Sequence, residues 1–133
     1  MTTFLDTSAL LAALKPDEPH HAWSTAQIEA RRSEGPLIIA DIVYGEFSIG
    51  MDSREHTDQA LDALALERLA NSDDVLFRAG QAFKKYKRQS GQKTNVLPDF
   101  LIGALAVIEG APLVTTNAKD FVGYFPELIV ISP

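Results

Sequence analysis

The chain has 133 residues, 46% of them hydrophobic, no cysteine, and a formal charge of −6. That length and apolar content predict one domain over 1–133 with a continuous core, and they argue against disorder. The missing cysteine excludes disulfides, thiolate zinc sites and a cysteine nucleophile. No apolar run is long enough to span a bilayer, and the N-terminus lacks the basic start and cleavage site of a signal peptide, so a soluble, cytoplasmic protein is expected.

The segment Phe4–Leu5–Asp6–Thr7–Ser8 ends an apolar strand and leads into Leu10, Leu11 and Leu14 at helical spacing. Asp6 therefore falls in a strand-to-helix turn, with Thr7 or Ser8 near the N-cap. In open α/β folds ligands bind at that turn, although a lone Asp there is also a simple helix cap. Asp17 or Glu18 is expected to cap a second helix running to about Ser33, with Trp23, Ala26 and Ala30 on one face. His20 and His21 lie at its exposed start and read as solvated. Leu37–Ala40 reads as a buried strand, and Asp41 as the cap of a helix through about Met51. Glu46 shares the apolar face of that helix with Ile42, Val43 and Ile49. Burying its charge costs several kcal/mol, on the order of what a paired cation or a metal returns.

A helix is expected from Arg54 to Ala70, facing inward with Leu61, Leu64 and Leu69. Val75 and Leu76 could form a very short strand before a helix from about Phe77 to Gln89, with Leu76, Ala79, Gly80, Phe83 and Tyr86 inside. Between Val75 and Pro98 there is no acid, and Arg78, Lys84, Lys85, Lys87, Arg88 and Lys93 supply six positive charges. A basic face on an otherwise acidic chain steers a polyanion locally, or it is a solvated helix face. The polar loop 90–98 delivers the chain to Asp99, which opens the most apolar helix, through Ile108, where Gly103 and Ala104 permit close approach to the sheet. Further strands are expected at Pro112–Thr116 and Leu128–Ile131.

Strands alternating with helices predict a three-layer α/β/α sandwich with a mostly parallel sheet of about five strands. With the first strand central, Asp6 and Asn117 flank the switch point, and Glu46 and Asp99 start from the same edge. Two like charges at about 4 Å repel by roughly 4 kcal/mol at an effective dielectric of 20, a penalty that a divalent cation removes. Oxygen-only ligation points to Mg²⁺ or Mn²⁺, and to attack of activated water on a phosphodiester.

The D-T-S turn at 6–8, helical Glu46, P-D-F-L-I-G-A at 98–104 and T-T-N-A-K-D-F at 115–121 together resemble a PIN domain of the VapC toxin type. The resemblance covers essentially the whole chain. It implies a metal-dependent ribonuclease, the toxin of a toxin-antitoxin pair, homodimeric and inhibited by a small VapB-like antitoxin. Asp6, Glu46 and Asp99 match the family's three acids, and the hydroxyls of Ser8 and Thr115 fall in supporting positions. The chain departs from the pattern at Asn117, where many PIN domains have Asp; Asp120 lies three residues on and is the alternative fourth group. RNA phosphates would meet Lys84, Lys85, Lys87, Arg88 and Lys93. A haloacid dehalogenase-like phosphohydrolase is a rival, but its motif wants a second Asp where Ser8 stands. A non-catalytic metal- or RNA-binding module is the other.

Overall fold

A computed structural model describes residues 1–93 and 96–133. Thr94 and Asn95, within the expected 90–98 loop, lie outside the described residues. The short strand β1 (Thr3–Leu5) is buried along its whole length and occupies the centre of a five-stranded sheet. Its neighbours are β2 (Leu37–Ala40) and β4 (Leu113–Val114), with β3 (Leu66–Leu69) and β5 (Val130–Ile131) at the edges, giving the order β3-β2-β1-β4-β5. All pairings are parallel; Phe4 stands opposite Ile38 on one side and Leu113 on the other. The expected parallel α/β architecture is observed.

Helices α1 (Thr7–Leu14) and α2 (His21–Arg32) connect β1 to β2. Helices α3 (Asp41–Ser48) and α4 (Arg54–Ala63) connect β2 to β3. Helices α5 (Asp73–Arg88) and α6 (Leu97–Glu109) bring the chain back to β4, and α7 (Lys119–Val122) leads to β5. The chain steps outward from β1 to β3 and then returns to the opposite side of β1. Right-handed connections therefore put the two runs of helices on opposite faces, the three-layer arrangement, and fix the switch point between β1 and β4. The core between the layers includes Phe4, Leu5, Leu10, Ile39, Phe47, Phe100, Leu105, Phe121 and Phe125, each at most 1–2% exposed.

Several elements differ from the sequence expectation. The helix expected to reach Ala70 stops at Ala63, because Leu64 is its C-cap and Ala65 turns left-handed at φ 54°. Backbone bonds from Leu64 to Leu61 and from Ala65 to Asp62 close that end. The next four residues pair with β2 as β3. Val75 and Leu76 are no strand: α5 starts at Asp73, with the Ser72 hydroxyl accepting from the Val75 N–H at 3.3 Å and two acids in the first turn. Its buried positions are Val75, Ala79 and Ala82, whereas Leu76 and Gly80 face outward. On α2 the buried pair is Ser24 and Ile28, with Ala26 and Ala30 exposed. His21 is tied down, its Nδ1 donating to the Ala12 carbonyl at 2.9 Å. Gly103 makes room for a ring rather than for the sheet, since a Cβ there would lie 2.6 Å from the buried Phe125 side chain. Gly110, left-handed at φ 66°, ends α6 as the sequence indicates. None of the described helices is long and apolar enough to cross a membrane.

A left-handed alanine is strained by about 1–2 kcal/mol, a cost that glycine avoids. Ala65→Gly is therefore expected to stabilise the fold by about 0.5–1 kcal/mol, measured as a higher midpoint in urea with unchanged slope; a lower midpoint would contradict the turn described here.

Candidate active site

The site begins with an aspartate that declines the usual work of its position. Asp6 is the N-cap residue of α1, with extended backbone at φ −76° and ψ 153°, yet its side chain makes no capping bond. Its amide N–H instead completes the β1–β4 pairing at the Val114 carbonyl, 2.9 Å away. The carboxylate is 3% exposed and is gripped at one oxygen, Oδ2, by two hydroxyls: Ser8 Oγ and Thr115 Oγ1 each donate to it at 2.7 Å. Each hydroxyl also accepts a backbone N–H from the turn after β4, Ser8 from Thr116 at 3.1 Å and Thr115 from Asn117 at 3.0 Å. Both hydroxyls use donor and acceptor capacity, so the carboxylate is locked in orientation. The sequence places Ser8 and Thr115 as supports; neither Thr7 nor Ser8 acts as a cap.

Thr7 has a role that the sequence did not reveal. It is the first residue of α1, and its Oγ1 donates to Glu46 Oε1 at 2.6 Å, tying α1 to α3. Glu46 is half-buried beside the buried face formed by Val43 and Phe47. Its partner is thus a hydroxyl, not the arginine that a purely structural role suggests. Ile49, expected on the same inward face, is 84% exposed because α3 has already ended at Ser48.

Asp99 is not the N-cap of α6. Val96 holds that position and Leu97 is the first helical residue; Pro98, with its fixed φ and missing N–H, and Asp99 both lie in the first turn. Burial pushes the Asp99 carboxyl up to about 7, with the negative charges of Asp6, Asp120 and Glu46 adding to the rise and Lys93 opposing it. Burial also raises Asp6, against the hydrogen bonds of Thr115, Ser8 and the Thr7 backbone, with the charge of Glu46 adding to the rise. Four carboxylates from four different elements therefore share one field. Asn117 is exposed and contributes its backbone N–H to Thr115 and its carbonyl to Asp120, whose N–H donates at 3.1 Å. Asp120 is half-buried and borders, with Asp99, a hollow of about 280 Å³ that also includes Lys93 and Lys119.

The donor set is carboxylate oxygen, with no cysteine in the chain, which suits a hard divalent ion. The Asp99 carboxyl is raised first by burial and then by the charges of Asp6, Asp120 and Glu46, and a hard divalent ion would offset both. Among the described residues, no three acid or histidine side chains are already gathered as a cage.

Of the five cations expected at RNA, two hold the protein together. Lys85 Nζ donates to the Gly123 carbonyl at 2.8 Å and Lys87 Nζ to that of Gly91 at 3.3 Å. Arg78, in the same acid-free stretch, pairs with Glu127 at 3.0 Å and with the Tyr124 carbonyl at 2.9 Å. Lys84, Arg88 and Lys93 are exposed. Because α5 ends where α6 is about to begin, the basic last turn lies at the Asp99 end of the molecule.

Fold and site together define a parallel α/β protein with four acids sharing one field near the switch point. The family model described as the PIN domain matches residues 3–124, and the chain belongs to that family. The VapBC2 structure from Rickettsia felis, bound to a DNA fragment from its promoter, contains a chain that superposes with a TM-score of 0.77 at 25% identity, covering 99% of this chain and 98% of that one. A toxin-antitoxin complex from Klebsiella pneumoniae gives 0.68 at 26% identity, covering 98% and 97%. VapC20 of Mycobacterium tuberculosis, described as a sarcin-ricin loop cleaving toxin, shares the fold with a TM-score of 0.64 at 17% identity, covering 98% and 99%. No curated protein is significantly similar in sequence.

The Asp99 carboxyl fixes the sign of a pH effect. Between its ordinary value of 3.8 and about 7, the folded chain holds a proton that the unfolded chain has released, so metal-free stability falls as pH rises through that window. Asp6 adds a slope of the same sign. Thermal unfolding in the presence of a chelator should show Tm declining from pH 5 to pH 8, with Asp99→Asn flattening the decline and melting higher than the native chain at pH 8. Equal slopes for both proteins would show that the Asp99 carboxyl is not raised in the folded chain.

Proposed function

We propose that this chain is a Mg²⁺- or Mn²⁺-dependent endoribonuclease, the toxin of a VapBC-type pair, acting in the cytoplasm as a homodimer held in check by a small antitoxin. The observation that carries the reading is the Asp6 carboxylate, withheld from capping and fixed by Ser8 and Thr115 in the common field of Glu46, Asp99 and Asp120. A bound divalent ion supplies charge neutralisation at the phosphate and a water of lowered pKa. Mg²⁺ takes oxygen ligands and is held through one or two carboxylates, which suits a site whose donors are carboxylate oxygens. In this reading Asp6, Asp99, Asp120 and Glu46, itself held by Thr7, would hold the ion. Lys84, Arg88 and Lys93 receive the RNA backbone; Lys85 and Lys87 add field from their structural positions.

The antitoxin reading is supported by an apolar hollow of about 520 Å³ beside Glu46, rimmed by Leu14, Ile49 and Met51. Ile49 and Leu14 are exposed, 84% and 39%, next to a site acid. A partner covering them would also cover Glu46.

Purified protein is expected to cleave RNA with Mg²⁺ or Mn²⁺ and to stop with a chelator. Asp99→Asn should lose activity on the order of 10²-fold or more, the scale of removing one electrostatic contact to the transition state, with an unchanged circular dichroism spectrum. Normal Mg²⁺-dependent cleavage by Asp99→Asn would sink the assignment.

The fourth position is tested by metal titration. With Asp120 half-buried beside Asp99 and Asn117 exposed, Asp120→Ala should raise the Mg²⁺ concentration for half-maximal cleavage severalfold and Asn117→Ala much less. Asn117→Asp should lower it by adding charge. A silent Asp120→Ala beside an inactive Asn117→Ala would reverse the order.

A further inference from the structure

The hollow that borders Asp99 and Asp120 is walled by rings. Tyr86, from the last turns of α5, and Tyr124, just after α7, both line it, and Phe100 closes it from beneath. The two tyrosine rings pack edge to face with centroids 6.0 Å apart, and Phe100 supports Tyr124 at 5.0 Å. Tyr86 is held from two further directions. Its phenol oxygen accepts the Lys93 backbone N–H at 2.8 Å, and Gly91 approaches so closely that any side chain there would strike the ring. Both tyrosines are only half-buried, so part of each ring faces the hollow.

Aromatic faces fixed in advance beside Lys93 and Lys119 match one nucleotide: a flat base for the rings and an anionic phosphate for the ammonium groups. The basic members also favour an RNA occupant over an apolar side chain of a partner protein, which would leave them unused. We propose that this hollow is a nucleotide subsite, in which one unpaired base next to the scissile phosphate stacks on Tyr124 with its edge against Tyr86, while Lys93 and Lys119 hold its phosphate. The proposal rests on the ribonuclease reading above and adds to it the two tyrosines as the surfaces that hold the base.

Two measurements test it. Asp99→Asn protein, which binds without rapid turnover, is titrated with short unstructured RNAs carrying 2-aminopurine at one position at a time; fluorescence should be quenched at a single position adjacent to the cleavage site. In cleavage assays with otherwise native protein, removing the base at that position should raise KM on the order of tenfold, the scale of one lost stacking contact, with kcat changed less. Tyr124→Leu should raise KM similarly, Tyr124→Phe should not, and the abasic RNA should be no worse a substrate for Tyr124→Leu than the intact RNA is. If Tyr124→Leu does not fold, Tyr86→Leu and the 2-aminopurine titration still decide. Additive penalties from the abasic site and the tyrosine substitution, or quenching spread evenly along the RNA, overturn the subsite while leaving the ribonuclease standing; an apolar partner side chain in the hollow would produce that result. Failure of the native protein to cleave any RNA overturns both.

Discussion

Everything at the switch point depends on the two hydroxyl bonds to one oxygen of Asp6. Ser8 belongs to α1 and Thr115 follows β4, so a single atom joins the helix after the first strand to the strand paired with it. The backbone N–H groups of Thr116 and Asn117 then close the network from the other side. A buried carboxylate is costly when left alone. Here charge-assisted bonds offset part of that cost and also fix where the remaining oxygen points. The same network sets the path of the turn that carries Asp120 towards Asp99.

Much of this was legible in the chain. Asp6, Glu46 and Asp99 are each announced by a short apolar strand or a strongly apolar helix beside them, and alternation of strand and helix was enough to predict the parallel sheet. Edge strand β3 was not. Leu64–Ala70 is rich in helix-forming residues and contains no β-branched side chain, so its local preference points to helix. Tertiary pairing with β2 wins, after a left-handed Ala65 that sequence preferences do not favour. The Thr7–Glu46 bond was also invisible, because it joins residues 39 apart and Thr7 has an ordinary reading as a helix-start residue. On α5 the buried face runs through Val75, Ala79 and Ala82, so Leu76 and Gly80, read as inward from the sequence, lie outside.

The acid-free stretch shows how one composition serves two purposes. Arg78 and Lys85 fasten α5 to the segment around Tyr124, and Arg78 also lies 4.6 Å over the Phe125 ring. Those cations build the aromatic wall. Lys93, farther along and in a loop, stays exposed near Asp99, where it opposes the rise in the carboxyl's proton affinity. Charge counting along a sequence cannot separate the two groups, since only the fold decides which ammonium meets a carbonyl.

The sheet's margins carry a last consequence. At one margin β5 pairs over only two residues, and at the other β3 places exposed Glu67 and Arg68 in its middle, with Arg68 turned onto Asp41 at 3.3 Å and over the Tyr44 ring at 4.4 Å. Short or charged margins give an extended segment from another molecule little backbone to zip onto. The edges thereby leave the helical flanks as the surfaces open to another molecule, and they guard against copies of the chain joining edge to edge.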